Sequence, residues 1–173
     1  GMCRTFQQMQ ICMNMTAIEN VMLGRHLQLR NSLFTTLFRL PSLRNNETAA
    51  RKRAADLMEY VGCGDYLDTE ASAMSYGALK RLEIARALAA EPKVILLDEP
   101  AAGLNATETS ALEALIRKIA DQGITVMLVE HDMKLVMGIS DRLLVLNYGR
   151  VLAEGTPEEI RQNPDVIAAY LGG

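Results

Sequence analysis

The feature that most constrains the fold is a short apolar run that ends in two acidic residues. Residues 93–100 read Lys-Val-Ile-Leu-Leu-Asp-Glu-Pro, so four aliphatic side chains lead directly into Asp98 and Glu99. A continuous apolar run of this length is typical of a parallel strand buried on both faces. Pro100 lacks a backbone N–H group, so we expect the strand to stop before it. The carboxyl ends of such strands border the crevice in which α/β proteins bind ligands, and both carboxylates are expected there.

Periodicity elsewhere predicts an α/β fold with a mostly helical first part. Residues 1–15 are expected to be extended or looped, and residues 31–44 to form a turn-rich amphipathic segment that ends near Pro41. The predicted helices cover 16–28, 46–61, 75–90 and 106–121, and two short helices are expected to start at Thr156 and Asn163. Thr16 and Glu19 have capping-box spacing at the start of the first helix. The predicted strands cover 93–97, 124–129, 142–146 and 150–153, with a tight turn at 147–149 between the last two. Alternation of strand and helix implies a parallel sheet with right-handed crossovers. The change in composition at Lys93 divides the chain into residues 1–92 and 93–173.

Charge and cysteine content exclude several classes of protein. The 173 residues carry 18 basic and 21 acidic side chains, and the net charge of −3 argues against a nucleic-acid-binding protein. Cys3, Cys12 and Cys63 are irregularly spaced, so the sequence predicts reduced thiols rather than a disulfide framework or a metal site. No apolar run approaches the ~20 residues that a membrane-spanning helix needs.

Several polar residues stand at the ends of predicted elements. Ser75 and Gly77 open the helix at 75–90, where a serine is usually only a cap but where free N–H groups also favour a bound anion. Asn105 and Glu108 have capping-box spacing before the helix at 106–121. His131 follows the second apolar strand and is either a plain helix-start residue or a side chain within reach of Glu99.

A phosphate-binding loop cannot be found in these residues. Such a loop has the pattern G-x-x-x-x-G-K-[ST], in which backbone N–H groups and a lysine surround the phosphates. None of the lysines follows a glycine; they are Lys52, Lys80, Lys93, Lys118 and Lys134.

The order of these segments resembles that of the ATP-binding subunits of ABC transporters. The family's ordered motifs correspond to Gln7 (Q-loop), 74–78 (signature), 94–99 (Walker B), 102–105 (D-loop) and His131 (H-loop). The segments 4–7, 100–105, 130–137 and 153–160 look like the branched-chain amino acid uptake branch of that family. The sequence departs from the general family at Tyr76, Ala78 and Asn105.

The resemblance implies a role for each candidate residue. Asp98 would hold Mg²⁺ through water, and Gln7 would sense that ion and relay its state to the membrane subunit. Glu99 would polarise the attacking water, and His131 would steady Glu99 and the γ-phosphate. Ser75 and Gly77 would contact ATP bound on an opposite subunit, and Asn105 would lie in the same shared site. Cofactors of the intact family member would be ATP and Mg²⁺.

The resemblance also implies an architecture and partners. We expect part of a P-loop NTPase core, with a parallel sheet and a helical subdomain, that lacks the N-terminal strands and the phosphate loop. Residues 1–92 would hold the Q-loop and the helical subdomain, and 93–173 the C-terminal half of the ATPase core. Partners would be membrane permease subunits and a second ATP-binding subunit at the inner face of the cell membrane, with no nucleic acid.

A chain without the phosphate loop is expected to be inactive alone, to bind nucleotide poorly, and to self-associate through exposed strand edges. Two alternatives stay open. One is a docking or regulatory module that binds an intact ATPase or a permease without hydrolysing ATP. The other is an ABC ATPase that acts outside transport, in translation or DNA repair.

Overall fold

The computed structural model describes residues 1–5, 9–25 and 41–171, with the backbone alone described for 41–46 and 171. The chain forms two compact units, residues 1–129 and residues 130–173. The functional division predicted between residues 92 and 93 stays a prediction. No helix in the described ranges combines the length and the apolar character that crossing a membrane requires.

The first unit contains a parallel sheet and a group of helices. Its elements in chain order are β1 (Met2–Arg4), α1 (Ala17–Gly24), α2 (Pro41–Tyr60), α3 (Tyr76–Leu88), β2 (Val94–Asp98), α4 (Ala106–Asp121) and β3 (Thr125–Val129). Short 3₁₀ turns at Gly64–Tyr66 and Ala71–Ala73 connect α2 to α3.

The sheet has the order β1-β2-β3, and both pairs of strands are parallel. Ile95 of β2 lies opposite Cys3 on one side and opposite Val126 on the other. Ile95 and Leu97 are buried completely or almost completely, whereas Val94 and Leu96 are only partly buried. The burial predicted for both faces of the strand is therefore complete on one face only. The prediction of an α/β fold with a parallel sheet is therefore confirmed, and β1 lies within the segment predicted as extended or looped.

The helices begin where the sequence places capping residues. The Thr16 side chain accepts the Glu19 N–H and the Glu19 carboxylate accepts the Thr16 N–H, which confirms the capping box before α1. α1 ends at Gly24, before the predicted end at residue 28, and the segment 26–40 lies outside the described residues. α2 begins at Pro41, five residues earlier than predicted, because proline fits the first turn of a helix as well as it ends one.

The apolar faces of α2 and α3 form the core of the helical group, and α1 packs against both. The side chains predicted to share one face of each helix are all buried: Ala50, Ala54, Leu57, Met58 and Val61 on the first, and Leu79, Leu82, Ala85, Leu88 and Ala89 on the second. Gly62, with φ of +75°, follows α2 and supplies the left-handed residue that commonly ends a helix.

The second unit is built around a β-hairpin. Its elements are α5 (Met133–Ile139), β4 (Leu143–Asn147), β5 (Arg150–Gly155), α6 (Pro157–Gln162) and α7 (Pro164–Val166), followed by a π-helical turn at Ile167–Leu171. Tyr148 and Gly149 have φ of +47° and +76°, the left-handed pair that a tight hairpin turn needs. The sequence alternation had suggested β4 for the parallel sheet. In the described part of the chain β4 pairs antiparallel with β5 alone, which confirms the hairpin predicted from the turn at 147–149 but not a place for β4 in the parallel sheet.

Candidate functional site

The carboxyl end of β2 carries the first acid of the predicted site. Asp98 is the last residue of β2, and its Oδ2 lies 2.9 Å from Nη2 of Arg4, the last residue of β1. The two strands run parallel, so both end at the same edge of the sheet. The Asp98 side chain is 25% exposed and that of Arg4 is 55% exposed. Arg4 was not predicted as a neighbour of Asp98, because the pairing of β1 with β2 brings together residues 94 positions apart.

Glu99 adopts an unusual backbone conformation directly after the strand. Its φ is +44°, a left-handed value that a side chain with a Cβ atom rarely takes. The Glu99 N–H donates to Val129 O at 2.9 Å, and the Glu99 carbonyl accepts the Ala102 N–H at 3.1 Å. The surrounding hydrogen bonds therefore hold the residue in a conformation that costs free energy, a feature found often at functional sites. The sequence gives no sign of this conformation, since an Asp-Glu-Pro run predicts only a turn.

Ser75 is the N-cap of α3. Its side-chain Oγ accepts the Ala78 N–H at 3.3 Å, and the residue is exposed. The cap predicted from the sequence is therefore present. A hydroxyl that accepts one hydrogen bond still has its own O–H to donate, so the capping role and an anion contact are chemically compatible.

Gly77 lies against a carboxylate of the same chain. A Cβ atom built on Gly77 would come within 2.3 Å of Glu108 Oε1, so no larger residue fits unless Glu108 moves. The sequence had offered phosphate approach as the reason for glycine here. The structure supplies a second reason, and the phosphate contact stays a prediction.

Asn105 and Glu108 form the capping box of α4. The Asn105 Oδ1 accepts the Glu108 N–H at 3.0 Å, and Glu108 Oε2 accepts the Asn105 N–H at 3.0 Å. The cap predicted from the sequence is confirmed. The cap uses the carbonyl oxygen of the Asn105 side chain, and the nucleotide contact expected of this residue stays a prediction.

His131 belongs to the second unit. Its side chain is 74% exposed, and its Nδ1 lies 3.9 Å from Oε2 of Glu130, whose side chain is 1% exposed. The His131 N–H also donates to that oxygen, at 3.2 Å. Asp132 then caps α5 by accepting two backbone N–H groups. The expected approach of His131 to Glu99 stays a prediction, and Gln7 lies outside the described residues.

The position of Asp98 is compatible with a metal ion that is also bound by a phosphate group. Within the described ranges there is no cluster of three or more histidine, cysteine or acidic side chains that could enclose a metal. Mg²⁺, however, is usually held by one or two carboxylates together with water and substrate phosphates. Asp98, partly exposed at the end of β2, fits that kind of site.

A cavity of about 260 Å³ lies at the amino ends of β2 and β3, away from the carboxyl ends that carry Asp98. Its lining includes Glu91 and Pro92, which precede β2, and Gln122 and Ile124, which precede β3. None of the described residues predicted for the site is among its lining residues. It is therefore distinct from the edge of the sheet where Asp98 lies.

Comparison with protein families gives two matches. The family model described as "ABC transporter" matches residues 2–102, which is more than half of the chain. The model described as "Branched-chain amino acid ATP-binding cassette transporter" matches residues 150–173.

Comparison with curated proteins gives relatives along the whole chain. The high-affinity branched-chain amino acid transport ATP-binding protein LivG of Escherichia coli (strain K12) is 49% identical over an alignment of 173 positions, which covers 99% of this chain and 68% of LivG. The similarly named protein BraF of Pseudomonas aeruginosa is 47% identical over the same shares. The lipopolysaccharide export system ATP-binding protein LptB of Escherichia coli (strain K12) is 34% identical over 83% of this chain and 60% of LptB.

Solved structures show the same fold. The ADP conformation of MJ1267, an ATP-binding cassette of an ABC transporter, superposes with a TM-score of 0.77 at 28% identity over 100% of this chain and 69% of that chain. A dimeric post-hydrolysis state of the ATP-binding cassette MJ0796 bound to ADP and Pi gives 0.72 at 26% identity, over 90% of this chain and 62% of that one.

Proposed function

The chain belongs to the family of ABC transporter ATP-binding proteins, and we propose that it acts as the ATP-binding subunit of an importer for branched-chain amino acids. The observation that carries the proposal is the 49% identity, along 173 residues, to a protein named for that transport. The family model matched at residues 150–173 supports the same substrate class. The transported amino acid would be held by membrane permease subunits, and this chain would lie against them at the inner face of the cell membrane.

We propose that Asp98 and Glu99 are the acids of an ATP-hydrolysing site. Mg²⁺, when bound with ATP, neutralises charge on the phosphates. Asp98 would hold that ion through water. Glu99 would accept the proton of the attacking water as the bond from water to the γ-phosphorus forms and the bond to ADP breaks. The hydrogen bonds that hold the Glu99 backbone support this role, because a base that is already in position needs no reorganisation during the reaction.

The other residues complete a site shared by two subunits in this proposal. Ser75 and Gly77 would present the start of α3 to ATP on the opposite subunit, beside Asn105. His131 would steady Glu99 and the γ-phosphate, and Gln7 would report the state of the metal to the permease. A second ATP-binding subunit is therefore a required partner.

A protein made of these 173 residues contains no phosphate loop, so we propose that it binds ATP weakly and does not hydrolyse it alone. The absence of that loop from the 173 residues also favours a second candidate function: a subunit that docks on an ATPase or a permease without hydrolysing ATP. We further propose that such a protein self-associates through the outer edge of β3.

The test is uptake by the native cells. Deletion of the gene should lower the uptake of leucine, isoleucine and valine, and the wild-type gene should restore it. The Glu99→Gln variant should fail to restore uptake, whereas Glu113→Gln, a control in the middle of α4, should succeed. Unchanged uptake of all three amino acids after deletion would contradict the proposed substrate class. Full restoration by Glu99→Gln would instead favour the docking function.

A further inference from the structure

We propose that Tyr76 and Glu108 hold the loop 99–105 against the start of α3, so that the loop and this helix end move as one body. The contacts that support this proposal all lie within the first unit. Its consequence for ATP hydrolysis rests on the proposed function, because only there do the loop and the helix end face the same nucleotide.

The first contact joins Tyr76 to Gly103. A Cβ atom on Gly103 would lie 3.0 Å from Cε1 of the Tyr76 ring, so the ring sits directly on the backbone of the loop. Gly103 also has φ of +80°, which side chains with a Cβ atom rarely adopt. The conformation of the loop therefore favours glycine here, and a side chain at this position would also have to push the Tyr76 ring away by a few tenths of an ångström.

Lys80 orients the Tyr76 ring from one turn further along α3. Its Nζ lies 5.6 Å from the centre of the ring, within the range of a cation–π contact. Lys80 is only 4% exposed. Lysine is almost never fully buried without a favourable partner, and the Tyr76 ring is such a partner. A buried ammonium group beside the ring limits how far Tyr76 can turn away from the loop.

The second contact joins Gly77 to Glu108. Glu108 Oε1 occupies the space into which a Cβ atom of Gly77 would project, at 2.3 Å from that position. The other carboxylate oxygen, Oε2, accepts the Asn105 N–H at 3.0 Å. One side chain therefore reaches both the end of the loop and the beginning of α3. The position is also electrostatically favourable, because a carboxylate is stabilised near a helix N-terminus.

These contacts make Tyr76 and Glu108 positioning residues. The loop carries Glu99 at one end and Asn105 at the other, and the helix end carries Ser75 and Gly77. In the proposed function, Ser75 and Asn105 both contact the nucleotide that is bound on the opposite subunit. A fixed distance between Ser75 and Asn105 would let the nucleotide contact the start of α3 and the loop at the same time. Movement of the start of α3 would then also move Glu99, at the other end of the loop.

Hydrogen exchange tests the contacts without any nucleotide. The loop has three reporters: the N–H groups of Ala102, Leu104 and Asn105, which donate to Glu99 O, Ala101 O and Glu108 Oε2. Tyr76→Ala should speed their exchange about tenfold, because the loop then opens locally without its contact with the ring. Tyr76→Phe retains the ring and should restrict the change to about twofold. The Gly123 N–H, which donates to Ala120 O at the end of α4, is the distant control and should not change.

Equal exchange in wild type and Tyr76→Ala would overturn the proposal. Tyr76 is 44% exposed and is the first residue of α3, so its replacement should not unfold the core. If exchange at Gly123 also rises, Lys80→Met provides the second test. That variant leaves the ring in place, and the proposal then requires the loop reporters to exchange about two to three times faster than in wild type.

Uptake by native cells tests the positioning role separately. Tyr76→Ala should lower the rate of branched-chain amino acid uptake about tenfold without changing the amino acid concentration at half-maximal rate. Tyr76→Phe should restore most of the rate. Faster exchange in the loop together with an unchanged uptake rate would overturn the positioning role. No effect of deleting the gene would contradict the proposed function, and the exchange result would still decide whether the contacts hold the loop.

Discussion

Arg4 and Asp98 form an ion pair across the two parallel strands at one edge of the sheet, with Nη2 and Oδ2 separated by 2.9 Å. The guanidinium group therefore supplies the positive charge next to the carboxylate that we assign to the metal site. The pair joins the two strands at their carboxyl ends, next to the Thr5 N–H, which donates to Leu96 O at 2.9 Å.

The pair should contribute little to stability. Both side chains are partly exposed, and such pairs are usually worth less than about 1 kcal/mol. We expect a double-mutant cycle with Arg4→Gln and Asp98→Asn to give a coupling free energy of about 0.5 kcal/mol in urea unfolding. The coupling should shrink in 1 M salt, where the Debye length is about 3 Å. A coupling several times larger that resists salt would show that the pair is effectively buried.

The left-handed backbone of Glu99 should lower stability. A left-handed residue with a Cβ atom costs roughly 1–2 kcal/mol, and glycine relieves this at an entropic cost of roughly 0.5–1 kcal/mol. Glu99→Gly should therefore raise the free energy of unfolding by about 0.5–1 kcal/mol, measured by urea titration, while Glu99→Gln should leave it nearly unchanged.

Glu91 is the matched control for this prediction. Its φ is +48°, close to that of Glu99, but it precedes β2 and lies outside the proposed site. Glu91→Gly should give a similar stability gain, reduced by the loss of its 3.6 Å contact with Arg25. In native cells Glu91→Gly should support uptake and Glu99→Gly should not. Destabilisation by both glycine variants would show that the positive φ values carry no cost.

Local features of the sequence predicted much of the fold. The apolar run at 93–97 fixed the central strand, and the capping boxes at Thr16 and Asn105 placed two helix starts correctly. These signals succeed because the interacting residues lie within one turn of each other. Pro41 misled the prediction because proline is compatible with either end of a helix.

The features that the sequence did not predict depend on distant residues or on backbone conformation. The contact of Tyr76 with Gly103 joins residues that local periodicity cannot relate. In the sequence, Tyr76 stands out only as a departure from a family pattern. A Gly in a loop is likewise common, so Gly103 gave no sign of the ring that contacts it. The positive φ of Glu99 arises from hydrogen bonds to Val129 and Ala102, the first of which requires the pairing of β2 with β3.

Asn105 should be replaceable by aspartate but not by alanine. Asparagine and aspartate are about equally good N-caps, whereas alanine leaves the Glu108 N–H without its side-chain acceptor. Asn105→Asp should change the free energy of unfolding by only a few tenths of a kcal/mol, and Asn105→Ala should lower it by about 1 kcal/mol. Thr156→Ala, in the similar capping box before α6, is the comparison in the second unit. An Asn105→Ala variant as stable as wild type would contradict the capping role.

The capping box at Thr16 should make stability depend on pH. The backbone N–H of Thr16 donates to the Glu19 carboxylate, as does the Thr16 hydroxyl, and together they lower the pKa of Glu19 below its ordinary value of 4.5. Because the pKa is lower in the folded state, the contribution is complete above pH 4.5 and is lost as pH falls through the folded value. Glu19→Gln should therefore lower Tm near neutral pH, and the difference from wild type should shrink below pH 4.5. Glu113→Gln is the control, and a Tm difference between Glu19→Gln and wild type that is constant with pH would contradict the assignment.

The outer edge of β3 should drive self-association of the 173-residue protein. In the part of the chain that the structure describes, β2 is the only strand paired with β3. Met127 and Val129 of β3 are 55% and 53% exposed. An apolar strand with an unpaired edge readily adds a strand from another molecule, and a lysine on such a strand opposes this.

Sedimentation velocity at about 10–100 µM should show dimers or larger species of the wild type. Met127→Lys should shift the distribution towards monomer, whereas Met13→Lys, at an exposed turn, should not. A wild-type protein that stays monomeric across this range would rule out the edge as an association site.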